Sequence, residues 1–277
     1  MWSWMSLELY SGGIYMSRKQ SERLTPNDIL LSTEKASFFD NLYRRQLSWT
    51  KSTRNYLYRR INLLKAEKIL EVGSGTGALL QELNDLLSKA DILGIDFNPI
   101  ALGYCRKNNH SSLVQGDGNK LPIQNDVFDV TLCNYLLLWL DNPVQLIKEF
   151  YRVTKPGGWI ACLAEPDYGG RIDHPYGEEW KELLCSSLSA SDPNVGRKLP
   201  QLFSLAGLQA TVGLQSVVQI SDIVKEMYND EINSLKLFLP GKLRSKLKDL
   251  QQSISLTKPS EMMSFMPVFY AYARKPS

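Results

Sequence analysis

The segment Ile69-Leu70-Glu71-Val72-Gly73-Ser74-Gly75-Thr76-Gly77, answered by Asp96 at the end of the next apolar run, constrains this chain more than any other feature. Glycines at alternate positions after Leu-Glu-Val allow a strand to turn sharply into a helix and bring bare backbone N–H groups close to a ligand. The strand–turn–helix unit this implies is the opening of a parallel α/β sheet.

Taken alone, the turn does not fix the ligand. Gly73-Ser-Gly75-Thr-Gly77-Ala78 also satisfies the looser dinucleotide pattern, with an acidic residue about twenty positions on. A nucleoside-triphosphate loop is excluded, because Ala78-Leu79-Leu80 stands where Gly-Lys-Ser/Thr is needed.

The downstream sequence separates the remaining readings. Gly116-Asp117-Gly118-Asn119-Lys120-Leu121-Pro122 follows a third apolar run, Phe128 to Asn134 reads as a fourth strand, and Arg152-Val-Thr-Lys155-Pro156-Gly157-Gly158 reads as a helix end and tight turn. In that order and spacing, over roughly residues 65–166, the chain resembles the class I S-adenosylmethionine-dependent methyltransferases, nearest to the ubiquinone- and menaquinone-biosynthesis type.

The resemblance implies a Rossmann-like, seven-stranded, mostly parallel sheet with helices on both faces. It implies S-adenosylmethionine as cofactor and S-adenosylhomocysteine as product. Glu71 would organise the turn and the methionine end, and Gly73, Ser74, Gly75, Thr76 and Gly77 would form the cradle. Asp96 would bind both ribose hydroxyls, as suits a carboxylate's several lone pairs. Phe97 would lie against the adenine, Asp117 with Gly118 would take its amino group, and Asn134 with Tyr135 would border the methyl group. The family often has a His after the fourth strand, where this chain reads Asn134-Tyr135-Leu136-Leu137-Leu138-Trp139. Asn-Pro-Pro-Tyr is absent there, which argues against the amino-methylating nucleic-acid enzymes.

Tyr151-Arg-Val-Thr-Lys155 matches the Tyr-x-x-x-Lys pair of short-chain dehydrogenases. Pro156-Gly157-Gly158 follows at once, however, so the pair sits where a helix must stop. An NAD(P)-dependent oxidoreductase is therefore an alternative with one weak motif behind it.

Hydrophobic periodicity predicts strands near 67–72, 91–96, 112–115, 128–134 and 158–165, and helices near 77–88, 98–108 and 143–153. Leu208 to Val218 and Phe265 to Ala273 supply two further strands, which the family pairs antiparallel at the sheet edge. Pro267 suits an edge or a strand start better than a central strand. The helical insertion over about 219–260 reads as a substrate lid on a core of about 65–218 and 261–277, within a domain spanning 34–277. Residues 1–33 read as an N-terminal extension, with 1–15 peripheral to the fold. They lack the features of a secretory signal.

A helix over 34–62 interleaves Arg44, Arg45, Lys51, Arg54, Arg59 and Arg60 with Tyr43, Trp49, Tyr56 and Tyr58. Such a mixture can bind RNA by charge and stacking, which makes an RNA or protein methyltransferase an alternative. The net charge of only +3 favours the simpler reading, in which the aromatics pack on the sheet and the charges are solvated. Arg54 is then a candidate for the cofactor carboxylate.

The segment Ala164-Glu165-Pro166-Asp167-Tyr168-Gly169-Gly170-Arg171-Ile172-Asp173-His174-Pro175 follows the fifth strand, at the edge where open parallel sheets bind ligands. Glu165, His174 and Tyr135 are the candidate catalytic residues, able to position or deprotonate an acceptor. The structural alternative is that Arg171 pairs with Asp167 or Asp173 to pin a loop.

Cys105, Cys133, Cys162 and Cys185 show no Cys-x-x-Cys pairing, and only His110 and His174 could assist a zinc site, so no metal is expected. Reduced, mostly buried thiols point to the cytoplasm. With 277 residues, 43% of them hydrophobic, the chain can bury a large core, and no apolar run reaches membrane-spanning length. These features add up to a small-molecule methyltransferase, monomeric or homodimeric, with a non-catalytic accessory subunit of the same fold as a further alternative.

Overall fold

The computed structural model describes residues 33–108, 112–187, 192–220, 222–239 and 241–277. His110 and the proposed extension lie outside the described residues, apart from Thr33 at the start of the first described helix.

Helix α1 (Thr33–Arg60) precedes β1 (Lys68–Val72), α2 (Ala78–Leu86), β2 (Asp91–Asp96), α3 (Pro99–Lys107) and β3 (Leu113–Gln115). Then come β4 (Phe128–Cys133), α4 (Pro143–Val153) and β5 (Thr154–Pro166). The helix starts are written in the sequence. Asn98 caps α3 by accepting the Ile100 and Ala101 N–H groups, with Pro99 at the first helical position. Asn142 and Pro143 repeat the device at α4.

The sheet order is β3-β2-β1-β4-β5-β8-β6, where β6 is Ile172–His174 and β8 is Met263–Arg274. β7 (Thr211–Ile220) pairs β8 along its other side. The first five strands are parallel, and the β8 pairings are all antiparallel. The fold class is the expected one, but the strands among the described residues number eight, because the short β6 escapes notice in the sequence. Each parallel strand reads as a nearly continuous apolar run because helices cover both faces. One face buries Leu57, Leu79, Leu83 and Leu132 under α1 to α3. The other buries Phe150, Ile160, Leu199 and Phe203 under α4 and α6 (Val195–Leu205).

Pro267 contradicts its expected placement. It lies inside β8, a strand with neighbours on both sides, opposite Ser216 of β7. Its carbonyl accepts the Asp167 N–H at 3.0 Å, and a strand residue presents its N and C=O to the same side. The missing N–H therefore falls in the gap between the β5 pairing, which ends at Val268, and the β6 pairing, which starts at Phe265. No ladder bond is lost.

The segment after β7 forms two helices, α7 (Asp222–Phe238) and α8 (Arg244–Leu256). They share a separate core with α5 (Gly177–Ser187), built on Trp180, Leu183, Val224, Tyr228, Leu247 and Met262. A helix from before the insertion thus packs in the same unit as the insertion.

α6 crosses β5 at a glycine. A Cβ on Gly196 would lie 2.6 Å from the Glu165 carbonyl oxygen and 3.0 Å from that of Pro166. Both are backbone atoms that cannot swing aside, so Gly196→Ala should cost about 1–3 kcal/mol by overpacking. Urea unfolding measures it, and a loss below roughly 0.5 kcal/mol would show that α6 is free to move off the sheet.

Candidate functional site

The carboxyl ends of β1, β2, β4 and β5 meet along one edge, and the candidate residues are strung along it. Gly73, Gly75 and Gly77 have φ of 77°, 52° and 92°, a region cheaply open only to glycine. The N–H groups of Gly73 and Ser74 both donate to the Ile95 carbonyl, at 2.7 and 3.1 Å. Asp96 then locks the turn, its Oδ2 accepting the Gly75 N–H at 2.7 Å and its Oδ1 that of Asn98 at 2.8 Å.

Helix α1 lies over this turn. Thr76 donates to Asp40 at 3.0 Å, and a Cβ on Gly75 would meet the Tyr43 ring at 3.3 Å. Burial and then the Asp96 charge raise the Tyr43 phenol pKa. Tyr43 and Asp40 belong to the site, although their sequence context shows only a mixed helix.

Unsatisfied polar atoms mark the rest. Among the described residues five buried side-chain polar atoms have no hydrogen-bond partner, and four of them, Glu71 Oε2, Ser74 Oγ, Asn119 Oδ1 and Asn134 Oδ1, fall on the segments expected to line a cofactor. Native interiors keep few such groups, and a cluster of them on one edge calls for a ligand. Asn119 joins them from two residues after Asp117, whose Oδ1 accepts the Asn119 N–H at 2.9 Å, and no motif in the sequence marks it. The turn is pressed against β1, since a Cβ on Gly118 would lie 3.2 Å from Val72. Phe97 is exposed beside Asp96.

Burial dominates the electrostatics. Glu71 is held well above the usual carboxylate range by desolvation, then by the Asp96 and Glu82 charges. Burial raises Asp96 and Glu231 as well, and Glu165 up to about 7. These acids keep their protons in the folded chain at pH values where the unfolded chain has released them. Stability from this source is full below about pH 4.5 and is lost as pH rises through about 7. The ligand-free protein should therefore melt higher at pH 5 than at pH 8 by calorimetry. The opposite order would show that these buried acids are not held protonated in the folded chain.

Of the three candidate catalytic residues, Tyr135 and Glu165 lie together and His174 lies apart. Tyr135, on the loop after β4, has φ of 53° and a phenol pKa raised by burial, then by the neighbouring Tyr168 and Glu165. Glu165 is fully buried beneath that loop. His174 is exposed on β6, opposite Met263, away from the end of β5.

The basic helix is largely committed within the fold. Arg54 is 1% exposed, and all three of its guanidinium nitrogens are spent: Nε and Nη2 on Glu82, Nη1 on the Leu47 carbonyl and Thr50. That corrects its candidacy as a free fork for a cofactor carboxylate. Arg44 pairs with Asp40 and Arg45 with Asp230, Tyr58 donates to Glu82, and Trp49 packs on the α5–α7–α8 core. Lys51, Tyr56, Arg59 and Arg60 stay exposed on the helix's outer face.

Arg171 pins a loop as the structural alternative held, through Asp173 at 2.6 Å and Glu231 at 2.6 Å. Asp167 goes instead to Arg197. Tyr151 ends α4 while Lys155 lies in β5, bound to Asp129 at 2.5 Å, so the dehydrogenase-like pair is split between a helix and a strand. All four cysteines are free, three of them buried.

The same segments are picked out by comparison with known proteins. Residues 70–162 match the family model described as a methyltransferase domain. A demethylmenaquinone methyltransferase of Corynebacterium urealyticum is 33% identical over 144 residues, covering 51% of this chain and 57% of that one. The chain spans little more than half the length of the curated relatives it matches. Among solved structures, one described as a putative methyltransferase from Bacillus halodurans C-125 aligns with a TM-score of 0.57 at 16% identity, over 80% of this chain and 99% of that one. The [4+2]-cyclase SpnF aligns with a TM-score of 0.54 at 18% identity, over 82% and 81%. At such identities the likeness is one of fold, and the cyclase shows that the fold does not dictate the reaction. Residues 70–162 are thus similar to the methyltransferase-domain family, within an α/β fold shared with solved methyltransferase structures.

Proposed function

We propose that the protein is an S-adenosylmethionine-dependent methyltransferase acting on a small molecule. The observation that carries this reading is the row of orphaned buried atoms, Glu71 Oε2, Ser74 Oγ, Asn119 Oδ1 and Asn134 Oδ1, beside a glycine turn locked by Asp96. These residues fit the cofactor. Asp96 would take the ribose hydroxyls, Asp117 and Gly118 the adenine, and exposed Phe97 would cover its ring. Glu71 would face the cationic methionine end, which would favour its ionised form.

Bound there, S-adenosylmethionine supplies an electrophilic sulfonium methyl group. The chain's task is then to place the acceptor in line and exclude water. α1 covers the turn through Asp40 and Tyr43, and the α5–α7–α8 unit, joined to α1 by the Arg45–Asp230 pair, would close the acceptor side. Tyr135 and Asn134 line the methyl side. A dedicated base is needed only for a weakly acidic acceptor. Four free thiols suit a reducing compartment, and among the described residues no helix is long and apolar enough to cross a membrane, so we place the protein in the cytoplasm.

The test is transfer of label from methyl-tritiated S-adenosylmethionine to a reduced naphthoquinone, a catechol, a phenol and a primary amine. The naphthoquinone comes first because of the demethylmenaquinone relatives. Labelled product with matching S-adenosylhomocysteine supports the proposal. Tight cofactor binding with no transfer to any acceptor would favour an accessory subunit, and turnover of NAD(P)H an oxidoreductase.

A further inference from the structure

Glu165 closes β5, where a catalytic base might be sought, yet its surroundings assign it other work. It is fully buried, with Oε1 accepting the Leu136 N–H and Oε2 the Leu137 N–H, each at 3.1 Å. The Cys133 thiol points at Oε1 from 3.8 Å. The two amides lie at the start of the single helical turn Leu137–Trp139, where N–H groups have no partner within the turn. A carboxylate satisfies both through charge-assisted bonds.

What those amides anchor is the methyl-side wall. Tyr135 sits in the left-handed region at φ 53°, which a non-glycine residue adopts only when it is held from outside. Its own N–H is held by the Ala164 carbonyl at 2.7 Å. The Leu136 side chain leans on the cofactor turn, since a Cβ on Gly73 would lie 2.8 Å from Leu136 Cδ1. One chain of contacts therefore runs from Glu165 through Leu136 to Gly73.

We propose that Glu165 is a positioning residue: by holding the Leu136 and Leu137 amides it fixes Asn134 and Tyr135 toward the transferred methyl group and Leu136 against the glycine turn, without touching the acceptor. The functional part of this inference rests on the methyltransferase reading above.

Among the described residues, no cation is hydrogen-bonded to the carboxyl. Cys133 faces it from β4, with the Cys162 thiol behind that of Cys133, and Tyr135 and Tyr168 face it from the loops after β4 and β5. The Asp167 carboxylate beside it in sequence is taken by Arg197, the Glu231 charge on α7 reaches both tyrosines, and the Arg54 charge on α1 reaches Tyr135 and that of Arg171 reaches Tyr168. Burial pushes its ionisation to about 7, against the pull of the backbone N–H groups. Protonation turns one of its oxygens into a donor facing a donor and releases an amide. The wall is therefore held firmly only above that pH.

The test uses the full chain labelled with 15N, with no ligand added. In the wild type, the Leu136 and Leu137 amide signals should shift together between about pH 5.5 and 8.5 with a common midpoint near 7. In Glu165→Gln, which offers one acceptor to two amides, that step should vanish and at least one of the two amides should exchange faster. Glu165→Asp should restore part of the step. In the methyl-transfer assay, Glu165→Gln should lower kcat on the order of 10- to 100-fold for amine and hydroxyl acceptors alike, with a far smaller change in acceptor KM. Leu136 and Leu137 amides that exchange as fast as unbonded ones in the wild type would overturn the proposal without relying on any variant folding. So would Glu165→Gln losing activity on hydroxyl acceptors alone with both amides unchanged, the signature of a base. The amide readout needs neither cofactor nor acceptor, so a chain that transfers no methyl group but shows the midpoint refutes the functional reading and leaves the anchoring intact.

Discussion

Arg171→Met will lower the stability of the protein by about 3–5 kcal/mol, the range for stripping one partner from a buried ion pair. Arg171 donates from Nε to Asp173 at 2.6 Å, from Nη1 to Glu231 at 2.6 Å and from Nη2 to Ser264 at 3.3 Å. Its guanidinium lies 5.5 Å from the Trp180 ring centre and 5.7 Å from that of Tyr228. The same rings close the network, Trp180 donating to Glu231 at 2.8 Å and Tyr228 to Asp173 at 3.0 Å. Removing the cation leaves two carboxylates facing each other without water. Protonating Glu231, already raised by burial, recovers only part of the loss. In calorimetry the midpoint should fall by roughly 10 °C. Adding Asp173→Asn and Glu231→Gln to Arg171→Met should restore much of it, because the orphaned charges go too. A loss under about 1 kcal/mol in the single variant would show that water reaches this junction between β6, α5 and α7.

Asp96→Ala will weaken S-adenosylhomocysteine binding by on the order of 1.5–3 kcal/mol, or roughly 10- to 150-fold, through loss of charge-assisted hydrogen bonds. The structure adds a second source of loss, because the Asp96 carboxylate already braces the turn through the Gly75 and Asn98 N–H groups. Asp96→Asn keeps one acceptor and should lose less. Calorimetric titration of both variants decides it, and an unchanged affinity would remove Asp96 from the site.

The sheet was legible because its signals are local. Each parallel strand is an apolar run ended by a glycine or a polar turn, and Asn142-Pro143 with Pro156-Gly157 bracket α4 so tightly that its expected bounds of 143–153 are those observed. What escaped depends on partners far away in sequence. β6 is three residues long and exists only because β8 reaches past β5 to pair with it. α6 carries Pro200 in its interior and Gly196 near its start, so propensity speaks against a helix that packing on β5 maintains. Arg54 carries its charge openly in the sequence, but Glu82, 28 residues on, decides what the charge does. Glu165 was recognised by position and not by role, because the two amides that occupy it come from the loop after β4. The cofactor side was read one residue at a time from a resemblance, and the orphaned atoms of Glu71, Ser74 and Asn134 are independent physical support for it.

The measurement that bears most directly on the central claim is isothermal titration of the purified full chain with S-adenosylhomocysteine, with NAD and NADP in parallel. Micromolar, one-to-one binding of S-adenosylhomocysteine, and of neither nicotinamide, is the predicted result. No heat with S-adenosylhomocysteine, or saturable binding of NAD or NADP in its place, would contradict it.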